Sequence, residues 1–370
     1  ELRALVEIDR WQAGGWDGHV CGLPANDFPV ELGVGYFMNS AANSLWTIGG
    51  GPVTSPAPLA LQSGWNAIGV PHSNAYTAAS LCAEIVNQGV DALEVDRWVA
   101  GGWQGHVCGL PFGNFAIEIG QGYFVRAGSS GTVTPTLQTR HWALGSQQPA
   151  GPPLATPAQP AAVHALQVSN LRDSSFVVSW LTDEPATGYV RFGEAAALDG
   201  VAYDLRGANV VGRSHYVALS GLQPQTTYYF DVASGGGLDD NGGLHFQATT
   251  GPQATALPAP FTIYGQVFQP DGLTPAGGAI VTLLLVDGDR AGSQGQAQLM
   301  SALVDDHGYW QANLGNARQA DGSAFLYSAT GDQLLLLARG ADGAVTTLAA
   351  DTGGLRPARG LTLGSQGRLP

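Results

Sequence analysis

Period-two alternation of apolar and polar residues runs through most of the chain and predicts strands with one buried face. Val30-Glu31-Leu32 leading to Gly35-Tyr36-Phe37 has this pattern, as does Ile117-Glu118-Ile119 leading to Gly122-Tyr123-Phe124. LQSGWNAIGVP (61–71) reads as a strand ended by proline. TAASLCAEIVNQG (77–89) breaks the alternation: Ala79, Leu81, Cys82, Ile85 and Val86 form a helical stripe, with Thr77 or Ser73 as a start and Gly89 as a stop. Farther on, SFVVSW (175–180), TGYVRFG (187–193), HYVALSGL (215–222), TYYFDVAS (227–234) and LHFQATT (244–250) are short strands at the spacing of a sandwich.

The phrase EIDRWQAGGWDGHVCGLP (7–24) returns as EVDRWVAGGWQGHVCGLP (94–111). Residues 7–37 align without a gap to 94–124, with 21 identities in 31 positions at a constant offset of 87, which is an internal repeat. A strand and the helix precede the second copy but not the first. A complete module therefore runs over 61–137, whereas residues 1–50 hold only a β half. The offset puts the missing half about 26 residues before Glu1, so the chain is expected to begin inside a module.

Prolines and small residues in 145–162 suit a semi-rigid linker between independent units. Residues 163–251 then resemble a fibronectin type III domain of the kind that precedes purple acid phosphatase catalytic domains. Trp180 stands where that family buries its tryptophan, and Gly221-Leu222-x-Pro224-x-Thr226-x-Tyr228-x-Phe230-x-Val232 matches its tyrosine-corner strand. Beyond a second proline-bearing joint (252–260), residues 261–365 resemble carboxypeptidase-regulatory-like or transthyretin-like sandwiches used as surface stalks. Their usual hairpin is matched by Val304-Asp305-Asp306-His307-Gly308-Tyr309-Trp310. The expected fold is thus mainly β: tandem small β-rich modules, the second with one helix, followed by two β-sandwich domains. The whole order resembles large exported proteins of filamentous and other environmental bacteria, which implies a cell-surface location and no chemistry.

Composition narrows the functions further. The chain has 370 residues, and Gly 53, Pro 22 and 9% aromatics fit several turn-rich β domains. The formal charge is -14 and every one of the 15 basic residues is arginine, so no clustered basic surface exists for nucleic acid. The lack of lysine excludes a P-loop, a Schiff base and a lysine isopeptide link. No run of 18 or more apolar residues predicts a membrane span, and no charged-then-apolar leader opens the chain, so a soluble mature segment is expected.

Candidate chemistry centres on the repeated phrase. The pairs His19/Cys21 and His106/Cys108 have imidazole and thiol two residues apart, as on one face of a strand, which would suit zinc. They belong to separate modules and lack a Cys-x2-Cys knuckle, so no metal is assigned. A disulfide between helical Cys82 and Cys108 is favoured instead. Cys21 is left with three options: a cysteine in the missing half-module, a buried free thiol, or a bond to another chain. Trp16 and Trp103 are candidates for stacking on glycan rings, although Trp11, Trp16, Trp98 and Trp103 also fit a hairpin core. The acidic turns Leu238-Asp239-Asp240-Asn241-Gly242 and Asp287-Gly288-Asp289 depart from calcium-loop spacing and read as solvated turns. Motifs for nucleophilic or metal hydrolysis are missing, and no cofactor is implied.

The sequence therefore points to an extracellular structural or adhesive protein without enzymatic activity, a subunit or segment of a cell-surface fibre. A half-module would leave apolar surface and a strand edge that a neighbour covers, with Leu355, Leu361 and Leu363 of the C-terminal tail as one candidate donor. Partners would be copies of the chain, head to tail, or other surface proteins. The alternatives are a carbohydrate-binding adhesin and the non-catalytic portion of a larger secreted hydrolase.

Overall fold

The computed structural model describes residues 5–12, 15–40, 57–70, 76–135, 161–195, 197–254 and 258–364. Two compact units divide the chain: residues 1–99 with 104–147, and residues 100–103 with 148–370. The fold is mainly β, with one α-helix among the described residues. The expected linker 145–162 lies outside the described residues except for its last two positions, and Ser73 and Gly14 lie outside them as well.

The first unit opens with β1 (Leu5–Gln12), β2 (Gly15–Val20) and β3 (Tyr36–Ser40), an antiparallel sheet in the order β2-β1-β3. The second module follows with β4 (Leu59–Leu61), β5 (Gly64–Gly69), α1 (Ala78–Asn87), β6 (Ala92–Val99), β7 (Gly102–Val107), β8 (Gly122–Ala127) and β9 (Gly131–Val133). Its main sheet has the order β5-β8-β6-β7, and β4 pairs with β9. The hairpin between β6 and β7 turns at Ala100 (φ 49) and Gly101 (φ 70), two left-handed positions that match the twist of the flanking strands.

Helix α1 starts in a capping box. The Thr77 side chain accepts the Ser80 amide at 3.2 Å, and the Ser80 hydroxyl accepts the Thr77 amide at 2.8 Å. The buried stripe is Ala78, Leu81, Cys82 and Ile85, spaced i, i+3, i+4, i+7. The expected stripe was one position off at its ends: Val86 is 51% exposed and Ala79 lies at the margin, because both sit to one side of that row.

The second unit contains two sandwiches. The first comprises β10 (Val163–Ser169), β11 (Ser175–Ala186), β12 (Gly188–Gly193), β13 (Gly200–Tyr203), β14 (Gly212–Ser220), β15 (Thr227–Ser234), β16 (Gly237–Asp239) and β17 (Phe246–Thr249). One sheet is β10-β11-β14; the other is β13-β12-β15-β16 with β17 also on β15. Phe176, Trp180, Val190, Leu219, Phe230 and Val232 fill the space between them. Trp180 is fully buried and donates its indole N–H to the Ser234 hydroxyl at 2.8 Å. The Tyr228 hydroxyl accepts the Gln223 amide at 2.9 Å, the tyrosine-corner bond.

The second sandwich contains β18 (Thr262–Phe268), β19 (Ile280–Val286), β20 (Met300–Leu303), β21 (Tyr309–Asn313), β22 (Gln333–Arg339), β23 (Val345–Asp351) and β24 (Leu361–Thr362). Its sheets are β21-β18-β24 and β20-β19-β22-β23. Leu355, Leu361 and Leu363 are 0%, 5% and 1% exposed within this core. This corrects their expected role as assembly donors. Strand β24 runs parallel to β18 through Val267–Leu361 and Phe268–Thr362, so alternation turns both flanking leucines inward. The two sandwiches share a polar seam: Ser301 accepts Tyr216 and Asn170 at its carbonyl (3.0 and 2.9 Å) and donates its amide to Asn170 Oδ1 at 2.9 Å.

Candidate functional site

Both copies of the repeated phrase build their β half with the same interactions. In the first, the Cys21 amide donates to the Val6 carbonyl at 2.9 Å; in the second, Cys108 donates to Leu93 at 3.0 Å. His19 Nδ1 donates to the Ala25 carbonyl at 3.0 Å, and His106 Nδ1 to Phe112 at 2.9 Å. The Tyr36 hydroxyl accepts the Glu31 amide at 2.8 Å, and Tyr123 accepts Glu118 at 2.6 Å. Arg10 stands 4.4 Å over the Phe28 ring and Arg97 4.6 Å over Phe115. The Tyr bonds have the same reach of five residues as the Tyr228 corner, so three separate strands are anchored by one device.

Strand alternation then gives each sheet two faces with different fates. One face of the first module carries Trp11, Trp16 and Phe37, which meet Phe124 of the second module at centroid distances of 5.6, 5.5 and 6.3 Å. Trp65 reaches the same ring at 6.2 Å, and the Trp11 indole donates to the Trp65 carbonyl at 2.9 Å. The register also joins the modules through a Val34–Ile68 bridge, where a Cβ on Gly35 would lie 2.8 Å from the Ile68 backbone.

The opposite face differs between the copies. In the second module Val95, Phe115, Ile117, Tyr123 and Val125 pack with Leu81, Cys82 and Ile85 of α1 in one core. Their equivalents at the offset of 87 are Ile8, Phe28, Val30, Tyr36 and Met38. Val125 is 0% and Ile117 7% exposed, whereas Met38 is 48% and Val30 65% exposed. Cys82 and Cys108 form a disulfide with a Cα–Cα separation of 5.6 Å, and Cys21 is a free, half-buried thiol.

The remaining sequence candidates fall as follows. Cys108 is spent in the disulfide, so the two His/Cys pairs present no common four-ligand set. Burial lowers the His106 pKa against the opposing pull of the Phe112 carbonyl and Glu94, which favours a neutral ring. Trp103, only 4% exposed, belongs to the second unit and donates its indole N–H to the Pro258 carbonyl at 3.0 Å, leaving no ring face for a sugar. Trp16 is half-buried among Trp11, Phe37 and Phe124.

Two features were not anticipated. Asp332 joins Asp287 and Asp289, their carboxylate oxygens lying within 4.8 Å of one another. Backbone amides already compensate them: Arg290 donates to Asp287 at 2.7 Å, Ala291 to Asp289 at 2.8 Å, and Ser328 to Asp332 at 2.7 Å. The second is His215, 1% exposed and stacked on Trp180 at 4.9 Å. Burial, opposed by Asp204 and aided by Arg206, pushes its pKa down to about 4. No short motif marks either one, because Asp332 and Trp180 lie tens of residues from the groups they join. The exposed face of the first module, by contrast, was readable from the repeat offset once the cover of the second module was known.

Residues 160–250 match the family described as Purple acid Phosphatase, N-terminal domain. No curated protein matches the sequence. Among solved structures, the chain is similar to PhoD at 13% identity and a TM-score of 0.20, over 28% of this chain and 21% of that chain. It is also similar to chicken CNTN1 FN1–FN3 domains (9% identity, TM-score 0.19, 52% of this chain and 66% of that one). A third similar structure is the central fibronectin-III array of RIM-binding protein (13% identity, TM-score 0.16, 82% and 99%). The chain thus spans less than two thirds of the first two. The family match and the two packed antiparallel sheets of residues 163–249 together make this segment a fibronectin-type β-sandwich. No described helix is long and apolar enough to cross a membrane.

Proposed function

We propose that the chain is an extracellular structural or adhesive protein, a subunit of a cell-surface fibre or filament in which the exposed apolar face of the first module serves as an association surface. The observation that carries this is the contrast between twin sheets. The same apolar face is covered by α1 in the second module and left exposed at Val30 and Met38 in the first. Exposed apolar surface rimmed by polar residues is how association sites present themselves. The Cys82–Cys108 disulfide supports an oxidising compartment. The hydrogen bonds of Tyr216 and Asn170 to Ser301, which join the two sandwiches of the second unit, suit a structural element. Electron microscopy of native material, with sedimentation across a concentration series, tests this. Fibres with a repeat near one chain length are expected; a monomer at every concentration with no fibres refutes it.

The match of residues 160–250 favours a second reading, the non-catalytic portion of a larger secreted hydrolase. An open reading frame that continues into a phosphoesterase domain would select it, and one that does not would remove it.

A further inference from the structure

The chain holds twelve asparagines, and only Asn241 is followed by a glycine. It lies in the exposed turn between β16 and β17, where Asn241 (φ 55), Gly242 (φ 67) and Gly243 (φ 85) are consecutive left-handed positions. Three polar contacts hold Asn241 there. Its amide donates to Asp239 Oδ1 at 3.1 Å, its side-chain Nδ2 donates to the His245 carbonyl at 3.1 Å, and its carbonyl accepts the Leu244 amide at 3.4 Å. These contacts are long and exposed, so the turn opens at low cost. The Gly242 amide makes no hydrogen bond among the described residues, and a Cβ on Gly242 would meet nothing within 4 Å.

We infer that Asn241 is a modification site, converting spontaneously to aspartate and isoaspartate through a cyclic imide with Gly242. In the first step the Gly242 nitrogen bonds to Asn241 Cγ, the Cγ–Nδ2 bond breaks, and the amide proton of Gly242 leaves with Nδ2 as ammonia. Water then adds to either carbonyl of the ring and breaks its bond to the Gly242 nitrogen, which regains a proton. The sum is one water consumed and one ammonia released, with no change of oxidation state and no other reactant. Neighbouring residues hold the nucleophile and the amide, so the attack is intramolecular. Glycine serves it twice: no side chain shields its nitrogen, and its backbone reaches the ring conformation that a Cβ would resist.

Six other glycines follow an aspartate, whose carboxylate is a weaker electrophile than an amide. Hydrogen bonds from the Thr274 and Ser323 side chains hold two of these, Asp271 and Asp321, as carboxylates below the ordinary range. The neutral Asn241 amide has no such protection. Its conversion removes the Nδ2 donor to His245, adds a negative charge beside Asp239 and Asp240, and as isoaspartate lengthens the main chain by one carbon. His245 Nδ1 lies 2.7 Å from the buried Asp231 carboxylate of β15, so the residue that Asn241 restrains is also the partner of Asp231. The modification therefore loosens the connection from β16 to β17 and spares the sheet β10-β11-β14.

The test incubates the full chain, freshly prepared, in neutral and in mildly alkaline buffer, beside a synthetic peptide of residues 237–247. Peptide mapping is expected to show a gain of about one dalton at Asn241 ahead of the other asparagines. The gain should grow with time and with pH, because the attacking nitrogen must lose its proton. Isoaspartate should be the major product, which direct hydrolysis of the amide cannot give. The chain should convert about fivefold more slowly than the peptide, since about one hydrogen bond is lost before the ring closes. Backbone hydrogens of residues 237–247 should exchange about fivefold faster in the aged chain, with residues 215–222 unchanged. Asn241→Gln, whose longer side chain needs a larger ring, should stay unmodified and keep its exchange rates on ageing. No mass gain at Asn241 over a period in which the peptide converts completely overturns the proposal. So does earlier conversion of another asparagine, or aspartate formed without isoaspartate.

Discussion

Phe124→Ala isolates the contact that holds the first module in place. Phe124 is 2% exposed, and the rings of Trp11, Trp16, Phe37 and Trp65 lie 5.6, 5.5, 6.3 and 6.2 Å from its own. Its neighbours Tyr123 and Val125 face α1 instead, so truncation empties the layer between the two sheets and spares the layer under the helix. Phe→Ala at a buried site costs about 3–5 kcal/mol, part of it the ring pairs worth roughly 0.5–1.5 kcal/mol each. Even the lower figure is about a hundredfold in a local opening equilibrium, since each 1.4 kcal/mol is tenfold. The opposite face of the first module exposes Val30 and Met38, so the loss should fall mainly on the first module. Hydrogen-exchange mass spectrometry of the full chain should show about a hundredfold faster exchange in residues 5–40, with residues 81–88 and 175–234 unchanged. The reasoning is refuted if α1 and β1–β3 lose protection together, which would make the first unit one cooperative core, or if residues 5–40 keep their protection.

Two further outcomes are expected. His215 is held neutral by burial, so its folded pKa of about 4 lies below the ordinary 6.5. The unfolded chain therefore binds the extra proton, and about 3 kcal/mol of stability present above pH 6.5 is lost as pH falls toward 4. Urea unfolding of wild type and His215→Gln should give a stability difference that shrinks across this window, and a flat difference, or an NMR titration midpoint near 6.5, contradicts it. Tyr228→Phe leaves the Gln223 amide without its acceptor and Glu194 without a donor at 3.1 Å. A loss of about 1–2 kcal/mol is expected in residues 161–250 by exchange, and a change under about 0.3 kcal/mol would show the corner to be dispensable.

Local order was legible wherever it depends on neighbours in sequence. The strand at Thr227–Ser234 and the turn before Trp310 follow from alternation and from Asp-Gly chemistry; the Asp305 carboxylate accepts the His307 and Tyr309 amides at 2.9 and 2.8 Å. Glycine in the repeated Trp-x-Gly-His phrase has an equally local cause, because a Cβ on Gly18 would lie 2.3 Å from the Asp9 carboxylate across the hairpin. The Cys82 and Cys108 pairing was within reach because the helix and meander belong to one repeat unit.

By itself, then, the sequence determined which residues share a face and how often the pattern recurs. Periodicity cannot say what lies against a face, since that depends on segments far away in the chain. Tertiary structure alone decided that Leu355, Leu361 and Leu363 close a core, that Trp103 is buried while Trp16 meets Phe124, and that Asp332 joins two aspartates of a distant turn. It also decided that two sheets built with the same hydrogen bonds differ in cover: one face is packed by α1, and the other exposes Val30 and Met38. The physical reason is that burial is a property of pairs of surfaces, and a sequence pattern specifies only one surface of each pair.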